Sequence, residues 1–264
     1  MIKNQLITVI VATFNSAKTL NAALTSVCNQ TFQNWECLLI DGVSTDETLE
    51  IIEKFENTDN RFRHISEPDN GIYDALNKGI SLAKGEWIYV LGSDDEILRE
   101  GLEAFVPYFE DYDLIYGNYI SVFSTGKTYN GIAYPLSKLP LVMPTSHQSM
   151  IMRKSLITEC GGFDLRYPSR ADQNLVVAAC VRGYRIQRIN SYICLMRKNG
   201  FSNDRSDCIK QYYHILRNNK ACKCPYLVAF YYGVRWYIGR KLLDPLRQRG
   251  IRIHEKKMEE SSFG

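Results

Sequence analysis

The sequence predicts an α/β fold, with a mostly parallel central sheet flanked by helices and a C-terminal helical extension. Three observations carry this prediction. Apolar runs alternate with amphipathic segments of 10–14 residues through the first 120 positions, the rhythm of a parallel sheet covered on both faces. Polar clusters follow the apolar runs: Thr13-Phe14-Asn15, Asp41-Gly42-Val43-Ser44, Glu67-Pro68-Asp69-Asn70-Gly71 and Gly92-Ser93-Asp94-Asp95. Ligands of such sheets bind beyond the carboxyl ends of the strands, where these clusters fall. Finally, 264 residues with 45% hydrophobic and 23% charged side chains suffice for a packed core and exclude a disordered or collagen-like chain.

The elements follow in order. Residues 7–12 read as a buried strand, and 17–29 as a helix with Leu20, Leu24, Val27 and Cys28 on one face. Residues 36–40 form the second strand, followed by a helix capped near Ser44 or Thr45 with Leu49, Ile52 and Phe55 inward. A short strand at 61–65 precedes a helix at 72–83, whose Leu76, Ile80 and Ala83 face inward. A strongly apolar strand at 87–91, a helix at 96–109 and a strand at 114–119 complete this half. Shorter β-like pieces and loops then run through Met143, followed by a strand at 150–152, a Gly161-Gly162 turn and a helix at 171–182. Residues 205–254 read as helices rich in Tyr, Arg and Lys.

The formal charge of +3 conceals an uneven distribution. Residues 1–204 carry 19 basic and 24 acidic side chains, whereas residues 205–254 carry 11 basic and 2 acidic. The opening residues lack the apolar stretch and cleavage site of a secretory signal, and no window supplies the ~18 apolar residues of a membrane span. Eight scattered cysteines give no disulfide framework, and Cys222-Lys223-Cys224 lacks a second pair at zinc-site spacing. These features predict a cytoplasmic protein with reduced thiols.

Gly92-Ser93-Asp94-Asp95 follows a buried strand directly. Two adjacent carboxylates there repel each other unless a cation or solvent relieves them, and Mg²⁺ or Mn²⁺ accepts such ligands while bridging to phosphates. A solvated turn leading into a helix is the alternative. There is no GxGxxG after the first strand and no GxxxxGK[ST], which disfavours a dinucleotide oxidoreductase or P-loop enzyme.

The ordered set ITVIVATFN from Ile7, LLIDGVSTDET from Leu38, EPDNGIYDALNKGI from Glu67 and LGSDD from Leu91 resembles the bacterial family 2 glycosyltransferases. Later matches are His147-Gln148, Gly161-Gly162-Phe163-Asp164, Ala171-Asp172 and Gly200-Phe201-Ser202; the whole set resembles the branch that builds O-antigen, capsule or colanic-acid-like polysaccharides. The resemblance spans about residues 5–205 and implies a GT-A (nucleotide-diphospho-sugar transferase) fold. Residues 1–204 would form that domain, with a nucleotide-sugar half (1–120) and an acceptor half (121–204), and 205–264 a basic aromatic extension.

The resemblance also implies roles. Thr13, Asn15 and Asp41 would hold the nucleoside of a nucleotide sugar, the Asp41 carboxylate accepting a uracil N3–H. Ser44 and Asp46 would shape that pocket, or merely cap the following helix. Asp69, Gly71, Asp74 and Asn77 would line the donor diphosphate and sugar, although a solvated helix face also accounts for Asn77 and Lys78. Asp94 and Asp95 match the metal-binding motif for Mn²⁺ or Mg²⁺; Gly92 departs from the acidic or amide residue common there.

Asp172 matches the general base of an inverting transfer; its alternative is a helix N-cap. His147, Gln148 and Ser202 would contact the diphosphate, metal or acceptor, a lone structural histidine being the alternative for His147, and Ser202 with Arg205 would close a loop over the pyrophosphate. The acceptor implied is a glycan on a polyprenyl diphosphate, made at the inner face of the plasma membrane. The basic aromatic stretch 205–254 suits an anionic membrane surface, or else a helical cover packed on the sheet with a solvated basic face; no nucleic-acid motif accompanies it. The rivals are a sugar-phosphate nucleotidyltransferase, which would want a Gly-rich basic loop where Phe14-Asn15-Ser16-Ala17 stands, and a non-catalytic nucleotide-sugar-binding module.

Overall fold

The structure, a computed structural model, describes residues 6–139, 142–197 and 207–238. Ile7–Thr13 (β1) is almost wholly buried, as a central parallel strand must be. Trp35–Asp41 (β2) and Trp87–Gly92 (β4) flank it, Phe62–Ser66 (β3) lies beyond β2, and all four run parallel. The helices between them are Ala17–Cys28 (α1), Thr48–Thr58 (α2) and Ile72–Leu82 (α3). Alternation along β1 sorts the core into two layers. Ile7, Val9 and Val11 meet Leu20, Leu24 and Val27 of α1 and Ile52 of α2. Ile10 meets Ala75, Leu76 and Ile80 of α3. Each such buried aliphatic side chain contributes about 1.5–3 kcal/mol.

Beyond β4 the sheet becomes mixed. Met150–Arg153 (β8) is antiparallel to β4 and to Leu114–Val122 (β6), while β6 is parallel to Ile186–Arg197 (β9). Glu96–Ile97 (β5) pairs with β9, and Thr128–Gly131 (β7) forms a hairpin with β6. The order is β3-β2-β1-β4-β8-β6-β9-β5, with β7 on β6. Helices Lys154–Glu159 (α4), Ala171–Val181 (α5) and Cys208–Asn218 (α6) extend the apolar layer begun by α3.

The structure corrects four expectations. The helix expected at 96–109 is replaced by β5, a turn and a 3-10 helix at Glu103–Tyr108. Pro107 inside it cannot donate to a helical ladder, and a Cβ at Gly101 would stand 2.7 Å from the Ile193 carbonyl, so the chain is pulled against β9 instead. The periodic Leu102, Phe105 and Phe109 that suggested a helix are buried all the same. The second helix starts at Thr48 rather than near Ser44, because Ser44 turns inward to Asp41. The 12-residue β9 was not anticipated, since Gln187, Arg188, Asn190 and Ser191 dilute its apolar signal to Ile189, Ile193 and Cys194. Finally, the domain expected to end at 204 shares its core with α6, whose Tyr212, Ile215 and Leu216 are fully buried there.

α3 seats close on the sheet through Gly79, where a Cβ would stand 2.6 Å from Ile10 Cγ2 and 3.2 Å from Ile40 Cγ1. Gly79→Val should therefore destabilise the fold by about 1–3 kcal/mol through overpacking. Urea unfolding measures this, and an unchanged midpoint would contradict the close seating.

Candidate functional site

The carboxyl ends of β1, β2 and β4 are level with one another, Thr13 facing Asp41 and Ala12 facing Gly92. The chain leaves β1 and β2 through left-handed backbone at Asn15 (φ 49°) and Val43 (φ 62°), uncommon for residues with a side chain. Asn15 is locked there: its N–H donates to Ser44 Oγ at 2.9 Å and its Oδ1 accepts from Thr45 N at 2.8 Å. Asp46 accepts from Ala17 N and Thr48 N, both at 3.1 Å, and so ties the starts of α1 and α2 together.

Asp41 differs from the expected base-binding group. It is fully buried, and its two oxygens accept from Thr13 Oγ1 (3.1 Å), Ser44 Oγ (2.5 Å), Ser44 N (3.0 Å) and Ser66 Oγ (2.7 Å). A carboxylate has about four acceptor positions, so these donors fill it. Burial alone would raise its pKa, but the bonds from Ser44, Ser66 and Thr13 outweigh burial and hold it below the usual range. Asp41 fastens three strand ends to one another, with Thr13 and Ser44 as its partners.

The third cluster is also held by its own chain. Asp69 Oδ1 accepts from Gly71 N at 2.8 Å, and Asp74 Oδ2 from Asn70 N at 2.9 Å. Gly71 takes φ 106° to start α3. Lys78 pairs with Glu67 at 2.9 Å and donates to the Pro68 carbonyl at 2.6 Å, so it braces this loop. Thr13, Phe14, Asp69, Gly71, Tyr73 and Ser93 line a cavity of about 320 Å³, within the range of small-ligand sites. Phe14, Ile72 and Leu165, also on its wall, are exposed apolar side chains. A wider hollow of about 580 Å³ beside Lys84 and Lys154 lies at the other ends of these strands, away from the clusters.

At the end of β4 the acidic pair folds back over Gly92. A Cβ there would stand 2.5 Å from Asp95 Oδ2 and 3.2 Å from Asp94 Oδ1. A side chain at 92 would therefore require the Asp95 carboxylate to move. Asp95 is only 2% exposed; it accepts from Arg197 N at 2.8 Å and from the Gln148 side chain. Burial, then the charge on Asp94, push its carboxyl from 3.8 up to about 7, and burial also raises Asp94. Among the described residues no set of three or more His, Cys, Asp or Glu is arranged to hold a metal alone. A buried and a half-buried carboxylate at one turn nonetheless suit a divalent cation whose other ligands come from a bound diphosphate.

Asp172 lies in the first turn of α5, behind the cavity-lining Tyr73 to which it is bonded. Arg170 occupies the N-cap position, so Asp172 is not the cap; its Oδ1 accepts from Tyr73 Oη at 2.9 Å. His147 packs edge-on against Phe163, and Phe163 stacks on Tyr73 with centroids 5.3 Å apart. Burial lowers the His147 pKa despite the nearby Asp172 charge. Asn77 does not face the cavity as a donor contact. Its amide is spent on both backbone groups of Phe163, donating to O and accepting from N, each at 2.8 Å. Ser202 and Arg205 lie outside the described residues. The sequence reading missed Tyr73 and Ser93; the helical spacing of Tyr73 and Asn77 on α3 is the signal that could have found Tyr73.

The family model of glycosyl transferase family 2 matches residues 8–163. A PGL/p-HBAD biosynthesis glycosyltransferase of Mycobacterium tuberculosis is 37% identical over 169 residues, covering 62% of this chain and 65% of the relative. Glycosyltransferase GlyG of Streptococcus pneumoniae is 38% identical over 119 residues, covering 44% of this chain and 40% of the relative. The chain thus matches less than two thirds of these relatives' own length. Among solved structures, S. aureus TarS 1-349 in complex with UDP-GlcNAc is similar at TM-score 0.64 and 22% identity, covering 81% of this chain and 65% of that one. The mannosyltransferase PcManGT of Pyrobaculum calidifontis, in complex with GDP-Man and Mn²⁺, is similar at TM-score 0.61 and 15% identity, covering 92% of this chain and 79% of that one. The shared fold is GT-A, as the motifs imply.

The raised Asp95 pKa has a defined sign. An acid whose pKa rises on folding costs nothing below its unfolded value of 3.8 and carries its full penalty above about 7. Stability of the metal-free protein should fall between those values, and Asp95→Asn should remove up to about 4 kcal/mol of that fall. Urea unfolding at about pH 5 and about pH 8 reads the effect, and parallel curves for the two proteins would contradict it.

Proposed function

Because the chain belongs to glycosyl transferase family 2, we propose that it is an inverting, metal-dependent glycosyltransferase. It moves one sugar from a nucleotide sugar, UDP-linked by preference, to a glycan carried on a polyprenyl diphosphate in bacterial surface polysaccharide synthesis. The observation that carries this reading is that one cavity is lined by direct neighbours of both the acidic pair and Asp172. Ser93, beside Asp94 and Asp95, and Tyr73, bonded to Asp172, line the same space. The nucleotide sugars bound by the two solved structures described above support a nucleotide-sugar donor here.

In the proposed reaction an acceptor hydroxyl attacks C1 of the sugar while Asp172 takes its proton. The C1–O bond to the diphosphate breaks and the bonding pair leaves with the nucleoside diphosphate. Asp95 with Asp94 would hold Mn²⁺ or Mg²⁺, which when bound supplies positive charge against the departing diphosphate. Gln148 orients Asp95. His147, kept neutral near pH 7, adds no positive charge beside the base. Thr13, Asn15 and Ser44 shape the nucleoside end through Asp41, and Asp69, Gly71 and Asp74 form the wall along the donor sugar.

We propose further that the enzyme works as a peripheral protein on the inner face of the plasma membrane. No helix among the described residues is long and apolar enough to cross a membrane. On Pro225–Ile238 (α7), however, Leu227, Phe230, Val234 and Ile238 are all exposed at helical spacing, with the basic residues of 205–254 around them in sequence. Because α6 is buried in the body, α7 rather than the whole of 205–264 is the segment to alter.

Two measurements test these proposals. A thermal-shift panel of nucleotide sugars with and without Mn²⁺ should show a metal-dependent shift for a UDP-sugar. Asp172→Asn should keep that shift while transfer falls by about 10²–10⁴-fold; intact transfer would remove Asp172 from the mechanism, and no shift with any donor would sink the reading. Leu227→Ser with Phe230→Ser should abolish binding to anionic vesicles and leave the donor shift unchanged. Equal vesicle binding by both proteins would exclude α7 as the membrane face.

A further inference from the structure

The base proposed for transfer is held by a side chain of the opposite, donor-side helix. We infer that Tyr73 is the positioning residue of Asp172, an inference that rests on the reading of Asp172 as the base. The phenol donates to Asp172 Oδ1 at 2.9 Å, and the Asp172 backbone N–H interacts with the same phenol oxygen. That N–H belongs to the first turn of α5, where helix donors lack intrahelical acceptors. Tyr73 therefore contacts both the carboxylate and the backbone of Asp172, fixing the one relative to the other. Burial, then the negative charge of Asp172, push the phenol pKa well above its ordinary value, so the group stays a donor at working pH.

The ring is itself immobilised. Tyr73 stacks on Phe163 with an interplanar angle of 28°, and Asn77, one turn along the same helix, bonds both backbone groups of Phe163. Gly162 permits this approach: it takes φ 73°, and a Cβ there would stand 2.8 Å from Asn77 Oδ1. His147 closes the far edge of Phe163. The carboxylate is thus oriented from α3, the helix that begins at the Gly71 wall of the cavity. Among the described residues, His147 and Arg170 also act electrostatically on this pair.

The test uses the full chain with UDP-GlcNAc and Mn²⁺, reading UDP release with water as acceptor. Tyr73→Phe keeps the stacked ring and removes only the hydroxyl. It should lower kcat about tenfold, leave KM for UDP-GlcNAc within about twofold, and hold the unfolding midpoint nearly constant. In an Asp172→Asn background the same change should cost nothing more, because the group it orients is already gone. Full turnover by Tyr73→Phe, or an equal loss in both backgrounds, would overturn the assignment. Undiminished turnover by Asp172→Asn would instead sink the base reading, and a wild type that releases no UDP would count against the transferase reading itself.

Discussion

The arrangement of this protein depends on one buried carboxylate that has, among the described residues, four hydrogen-bond donors and no ion-pair partner. Asp41 collects a hydroxyl from β1, a hydroxyl from β3, and a hydroxyl and an amide from the loop that follows its own strand. A buried charge is tolerable only when its lone pairs are satisfied. The loops at these strand ends must therefore keep the conformations that deliver those donors. Left-handed backbone at Asn15 and Val43 accompanies that arrangement, and the polar cleft takes its shape from it.

Two kinds of acid coexist at this end of the sheet. Asp41 is held below its ordinary pKa by its donors, whereas Asp95 is driven to about 7 by burial and by its neighbour Asp94. The first contributes to the fold as it stands. The second is uncomfortable when ionised, so the acidic residues of the body are not electrostatically alike. A formal charge summed over the chain cannot make that distinction, because it counts both alike.

Much of the fold was legible because central parallel strands are apolar on both faces, and β1, β2 and β4 carry no ambiguity. The acidic pair and Asp172 were legible as residue types in an ordered set of motifs. What stayed hidden depends on contacts distant in sequence. β9 has a weak pattern because its partner β6 and the short β5 specify it. The stretch after Asp95 has helical spacing, yet Pro107 and the tight packing at Gly101 divert it. Asn77 and Asp41 were chemically suited to a ligand, and only the structure shows that Phe163 and three hydroxyls already occupy them.

Gly92 sets how tightly the acidic turn can close. Every replacement of a glycine introduces at least a Cβ, and here that atom would meet the Asp95 carboxylate at 2.5 Å. The position is therefore linked to the side-chain rotamer of Asp95: a larger residue here obliges that carboxylate to swing aside. In this chain the bare backbone at 92 is what lets the carboxylate lie flat against its own strand end.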